Sequence, residues 1–161
     1  MQMKTLEITQ YGILPSGIHE MNMEELGNFF CGFPKSPYRL RLFETLKKYV
    51  QRLKTLKTGT ALIVDGSFVM SCVEMPKDID LILVMPKKWD QTIERIPQEY
   101  YNLLSPVGNK TEFADIHLFV AAEHSPLYHS WIRHFSNIKE DWHFMFDIPY
   151  NVSKGLVRVT L

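Results

Sequence analysis

Val64-Asp65-Gly66-Ser67, then ten residues, then Asp78-Ile79-Asp80 is the stretch whose residue types and spacing can do chemistry. On an extended strand residues two apart share a face, so Asp78 and Asp80 set two carboxylates side by side. Adjacent carboxylates repel, and both stay ionised only beside a compensating charge. A hard divalent cation is the natural one, and magnesium binds through one or two carboxylates together with substrate phosphates. Ile82 and Val84 continue the same parity as apolar residues. The acids are therefore confined to one end of an otherwise buried strand. The Gly66-Ser67 break supplies the other half of a phosphate site. Glycine lets the backbone approach closely, turn N–H groups can face anionic oxygens, and the serine hydroxyl adds a donor. Either element alone is a weak signal; the two together, between strand patterns, are a specific one. The competing reading is a hairpin-like loop with an Asp turn cap.

Asp115 lies near the start of another apolar strand pattern, Phe113-Ala114-Asp115-Ile116-His117-Leu118. If that strand lies beside residues 78–85, Asp78, Asp80 and Asp115 converge. Such a triad can hold two metal ions, one lowering the pKa of an attacking hydroxyl and one stabilising a leaving pyrophosphate. Asp115 would serve the nucleophile-activating ion. His117 shares the parity of Asp115 and could border the site, although a lone strand histidine is more often a hydrogen-bonded structural residue. Asp65 reads as a turn cap before it reads as a fourth site acid. His19 reads as part of an extended leader. His124, His129 and His134 are spaced five apart and share no helical face, which excludes them as a metal set. Tyr100, Tyr101, Trp131, Phe135, Trp142, Phe144 and Phe146 could stack on a base, but core packing is the better reading. His129 and Ser130 sit in no nucleophile-elbow context.

The elements that must position these residues follow from the apolar pattern. Residues 1–20 read as an extended leader punctuated by Gly12, Pro15 and Gly17. A short helix starts near Asn22, with Met23, Leu26, Phe29 and Phe30 as its apolar stripe. Gly32, Pro34 and Pro37 break the chain, and Ser36-Pro37 gives the N-cap and first-turn proline of a long helix. Leu40, Phe43, Leu46, Val50, Leu53 and Leu56 form its apolar face, opposite Arg41, Lys47, Lys48, Arg52 and Lys54, and it ends near Thr58-Gly59. That basic side is a solvated face. Strands are expected at 60–65, 78–85, 113–122 and 155–161, with helices at 89–104, kinked or split at Pro97, and at 127–138. Strands and helices in this order give an α/β or α+β domain built on one short mixed sheet.

The chain of 161 residues fits one domain, residues 1–161, long enough to bury roughly 70% of its unfolded surface. Lys+Arg and Asp+Glu both total 18, and this zero net charge argues against a polyanion binder held by bulk charge. Cys31 and Cys72 are too few for a disulfide framework and read as reduced, buried thiols. No segment is apolar enough to span a membrane and no signal-peptide pattern opens the chain, so the cytoplasm is the expected location.

The Gly-Ser turn, the spacer near ten residues, the Asp-x-Asp pair and a third acid on a later strand together resemble the nucleotidyltransferase superfamily of the DNA polymerase beta type. More narrowly, the chain is similar to a small family of bacterial nucleotidyltransferase-like proteins. The likeness there includes Leu14-Pro15-Ser16-Gly17-Ile18-His19, Asp65-Gly66-Ser67-Phe68-Val69, Lys77-Asp78-Ile79-Asp80 and Lys154-Gly155-Leu156-Val157-Arg158-Val159. The resemblance implies a minimal fold, a short mixed sheet flanked by helices. It implies that Gly66 and Ser67 bind a triphosphate and that Asp78, Asp80 and Asp115 hold Mg2+ or Mn2+. Many small members carry an Arg and a second Gly in the spacer; residues 68–77 have neither, which leaves Lys77 as the local cation. The implied activity moves a nucleoside monophosphate from an NTP onto a protein, RNA or small molecule. A catalytically silent binding or regulatory module, such as one partner of a toxin–antitoxin-like pair, is the alternative. A metal-dependent phosphodiesterase or nuclease using the same acids is disfavoured, because hydrolases rarely need the Gly-Ser turn.

Overall fold

Strands that are apolar on both faces belong in the middle of a sheet covered on two sides, and the chain places them there. The computed structural model describes residues 6–31, 37–56, 59–89 and 113–161. Within them β1 (Ile18–Glu20), β2 (Ala61–Asp65), β3 (Ile79–Met85), β4 (Ile116–Ala122) and β5 (Leu156–Thr160) form one five-stranded sheet ordered β1-β5-β2-β3-β4. β1 runs parallel to β5 and β3 parallel to β4, while β2 is antiparallel to both β3 and β5. The sheet is mixed and the fold α+β.

Strand parity divides the core in two. Leu62, Val64, Ile79, Leu81, Leu83, Val157 and Val159 face α1 (Met23–Cys31) and α2 (Pro37–Leu56). Leu42, Phe43, Leu46, Tyr49, Val50 and Leu53 recur at helical spacing on α2 and supply most of the helical side of this layer. α1 opens with a reciprocal capping box. The Asn22 N–H donates to Glu25 Oε2 and the Glu25 N–H to Asn22 Oδ1, each at 2.8 Å. On the other face Ala61, Ile63, Ile82, Val84, Ala121 and Leu156 pack against Tyr128 and Phe135 of α3 (Pro126–Ser136). A third cluster joins Ile13 and Met70 to Ile138 and Ile148, with Trp142 of α4 (Glu140–Met145) against it.

Several boundaries differ from the apolar pattern. Phe113, Ala114 and Asp115 form a turn, with the Ile116 N–H donating to Phe113 O at 3.0 Å, so β4 begins only at Ile116. α3 begins at Pro126 because Ser125 caps it, its hydroxyl accepting from the Tyr128 N–H at 3.1 Å. The leader is more than an extended strap, since Ile18–Glu20 adds an edge strand. Cys31 and Cys72 are free thiols but only half-buried. The expected helix at 89–104, with Pro97, Tyr100 and Tyr101, lies outside the described residues apart from Trp89, as do Gly32, Pro34, Ser36 and Thr58. Among the described residues no helix is long and apolar enough to cross a membrane.

The leader is stitched to both sides of one end of the sheet. Ile13 bridges to Met70, the Cys72 N–H donates to Gly12 O at 3.2 Å, and the Gly155 N–H donates to Leu14 O at 3.0 Å. His19 Nε2 donates to Pro15 O at 2.6 Å, which gives this histidine a structural role. Contact at Gly155 is so close that a methyl there would overlap Pro15 O and come within 2.8 Å of Leu14 Cβ. Gly155→Ala is therefore expected to destabilise the fold by about 1–3 kcal/mol, the usual range for overpacking. Urea unfolding measures it, and an unchanged midpoint would mean that the leader does not pack there in solution.

Candidate functional site

The rows of side chains on the α3 face end in polar groups at one edge. Beyond Ile63, Ile82 and Phe119 come Asp65, Asp80 and His117, and the strand register pairs Asp65 with Asp80 and Asp80 with His117. Three ionisable residues thus stand in a transverse row across β2, β3 and β4. Asp78 joins them from just before β3. Donor atoms of Asp78, Asp80 and His117 lie within 4.8 Å of one another, and His117 Nδ1 is 3.1 Å from Asp80 Oδ1. Asp78 and Asp80 are half-buried and His117 is exposed.

Asp115 stands apart from this group. It is exposed on the turn before β4, and its backbone oxygen accepts from the Ile79 N–H at 2.9 Å. The register pairs Ile79 with Ile116, so the residue beside Asp80 is His117. The third member of the group is the imidazole that the sequence ranked below the acid.

Gly66 turns the chain at φ 85°, ψ −167°, a region open essentially to glycine alone. A Cβ at this position would sit 3.0 Å from Asp80 Oδ2, so the turn backbone and the acid meet without room for a side chain. Ser67, half-buried, starts a 3-10 turn over Ser67–Val69. Gly66, Ser67, Lys77, Asp78 and Asp80 line one cleft of about 590 Å³. Five of the six residues singled out as site residues are thereby brought together. Lys77 is exposed at the cleft.

The turn is held from behind by Arg39, which is 1% exposed. Its Nε donates to Phe68 O at 2.9 Å, and its Nη2 to Ser67 O, Met70 O and Val73 O at 3.2, 2.7 and 3.1 Å. Burial lowers its pKa, yet a guanidinium stays charged in a protein. Each carbonyl drawn toward Arg39 points the N–H of its own peptide the opposite way. Arg39 precedes Leu42 and Phe43 by three and four residues on the buried face of α2, and that spacing was the available signal for it.

Asp65 does more than cap a turn. It is fully buried against Lys154, whose Nζ lies 3.1 Å from its Oδ1. Burial pushes the Asp65 pKa up to about 6 against the pull of Lys154. Lys154 is itself buried and its ammonium stands 5.5 Å from the centre of the Trp142 ring, with Lys139 Nζ 4.9 Å from it. Lys139, Trp142, Lys154 and His134 all line the cleft. Sequence reading missed Lys139 as a site residue and took Lys154 only as part of the closing block. Of the aromatic residues read as core, Phe135 is buried, Trp142 lines the cleft and Phe144 is exposed. His124 and His129 stack on each other at 5.9 Å and join no metal group among the described residues.

Two carboxylates and an imidazole suit a divalent cation that keeps positions open for oxygen ligands, and the imidazole favours a transition metal such as manganese over magnesium. Residues 6–160 match the model of a family of unknown function, DUF6932. The chain belongs to that family. No curated protein and no solved structure matches it.

Two outcomes follow from this geometry. Arg39→Met is expected to cost about 2 kcal/mol or more, because Phe68 O and Val73 O lose the guanidinium donor, at roughly 1–3 kcal/mol each to leave unmet, while Ser67 O and Met70 O keep a backbone donor. Equal urea midpoints for Arg39→Met and wild type would remove the bracing role. For Asp65, the folded pKa of about 6 exceeds the ordinary 3.8, so the native state binds more protons between these values and stability from this group falls as pH rises through that window. The fall amounts to about 3 kcal/mol at 1.36 kcal/mol per unit. Unfolding measured at pH 4 and pH 6.5 should show this component in wild type and lose it in Asp65→Asn.

Proposed function

We propose that the cleft is the site of a metal-dependent nucleotidyltransferase, moving a nucleoside monophosphate from an NTP to an acceptor in the cytoplasm. The observation that carries this reading is the meeting of the Gly66-Ser67 turn with Asp80 and Asp78 in one cleft that also holds Lys77, Lys139 and Lys154, with His117 Nδ1 3.1 Å from Asp80 Oδ1. Carboxylates, lysines and a glycine turn in one place fit a phosphate chain carried with a cation. Asp78, Asp80 and His117 would hold Mn2+ or Mg2+. Such an ion neutralises phosphate oxygens and polarises the phosphorus under attack.

Gly66 keeps the phosphate approach open, and Ser67 offers its hydroxyl. Lys77 and Lys139 lend positive charge at the mouth. The transfer forms a bond from an acceptor oxygen to the α-phosphorus and breaks the α–β bridging P–O bond. Pyrophosphate leaves, and the acceptor's proton goes to solvent. A protein, an RNA or a small molecule could be that acceptor. One observation favours a second reading, a silent nucleotide-binding or regulatory module: Asp115 is exposed and outside the donor group.

The test is incubation with labelled ATP, CTP, GTP and UTP and either metal, following pyrophosphate release and label transfer. Asp80→Asn should lower transfer about a hundredfold or more, since even supporting residues of metal sites cost 10–100-fold. His117→Ala should weaken Mn2+ binding about tenfold or more, while Asp115→Asn leaves it unchanged. The reverse pattern in calorimetry would restore Asp115 as third donor. Absence of transfer with all four nucleotides and both metals would favour the silent module.

A further inference from the structure

We propose that Lys154 is the buried phosphate-binding cation of the cleft, held in place by Asp65 until the phosphate chain of a substrate enters. The inference takes its ligand class from the nucleotide reading above and does not depend on catalysis.

Lysine is almost never fully buried without a full set of partners. An ammonium offers three N–H donors, and here it meets the Asp65 carboxylate at 3.1 Å, the Met70 sulfur at 4.0 Å and the Trp142 ring. Sulfur and ring are weak acceptors. A buried ion pair repays its desolvation only when the geometry is good and the remaining hydrogen bonds are satisfied. The second condition is not met at Lys154, whose N–H groups beyond the one facing Asp65 meet a sulfur and a ring.

Position supplies the explanation. Lys154 and Asp65 line the same cleft as Gly66, Ser67, Asp78 and Asp80. Three backbone hydrogen bonds fix the lysine and the residues after it. The Lys154 N–H donates to Ser136 O, the Gly155 N–H to Leu14 O, and the Leu156 N–H to Gly17 O, at 3.0, 3.0 and 2.9 Å. The leader and the closing block thus meet where this ammonium is held. Lys77 and Lys139 are exposed, and water and salt screen their charge. Lys154 acts in a lower dielectric, where the same charge interacts more strongly. Phosphate oxygens are better acceptors for its N–H groups than sulfur or a ring.

Inorganic tripolyphosphate is the probe, measured by calorimetry on the full chain with Mn2+ present. Lys154→Met alone strands Asp65, so the principal variant is Asp65→Asn with Lys154→Met, which removes both charges together. This double variant should keep the wild-type urea midpoint or exceed it, keep its Mn2+ affinity within twofold, and bind tripolyphosphate at least tenfold more weakly. In wild type, the Lys154 side-chain Hε–Cε NMR resonance should shift on saturation with tripolyphosphate, a readout independent of whether the variant folds. Wild-type affinity in a folded double variant, an unmoved Lys154 resonance, or no binding by wild type would each overturn the proposal. If tripolyphosphate binds through Lys154 but no nucleotide is transferred, the enzyme reading fails alone. If Asp80→Asn abolishes transfer while the double variant binds normally, Lys154 fails alone.

Discussion

A guanidinium buried beneath the β2–β3 loop is the interaction on which the cleft depends. The loop from Gly66 to Val73 leaves the sheet, crosses under the leader and turns carbonyls of Ser67, Phe68, Met70 and Val73 into the interior. Buried carbonyls must be paired, and backbone N–H groups reach Ser67 O and Met70 O, from Met70 and Val73. Only arginine presents enough donors in a fixed planar fork to meet several at once. Arg39 does so from the first turns of α2, so a helix on one face of the sheet determines the backbone that lines a cleft on the other. Remove that fork and the turn would have to open to water.

The second constraint is electrostatic. Asp65 and Asp80 face each other across β2 and β3, and Asp78 is close by. Folding also buries Asp65, and that burial raises its pKa. Other elements bring positive charge and an imidazole to the acids: Lys154 before β5, Lys139 before α4 and His117 on β4. Each sign of charge is contributed by segments distant in sequence. A cleft built this way is partly neutralised at rest.

Stability and site are separable in this architecture. The two core layers are built from strand residues of opposite parity against α1–α2 and α3, and they close without the polar row. The site occupies the end where apolar rows stop and the leader, the β2–β3 loop and the approach to β5 converge. Substitutions in the row should therefore change binding more than folding, while Arg39 and Gly155 connect the two because they join the loops to the core.

Much of this was legible in the chain. Apolar runs at 61–64 and 81–85 required buried strands, and the break at Gly66-Ser67 and the pair Asp78, Asp80 were placed correctly at one end of them, because period-two alternation and glycine turns are local properties. The positive-φ turn also depends only on local backbone sterics. Partners were not legible. Whether Asp115 or His117 stands beside Asp80 depends on the register of β4 against β3, which pairs Ile79 with Ile116. Asp65 looked like a turn cap because Lys154, its partner, is 89 positions away and arrives only when β5 packs beside β2. Arg39 did not stand out on its helix because its acceptors are carbonyls 28 to 34 residues away. Sequence by itself determined which residues alternate and which turn. The tertiary structure alone decided which charges meet, since electrostatic and hydrogen-bond partners are set by distance in space.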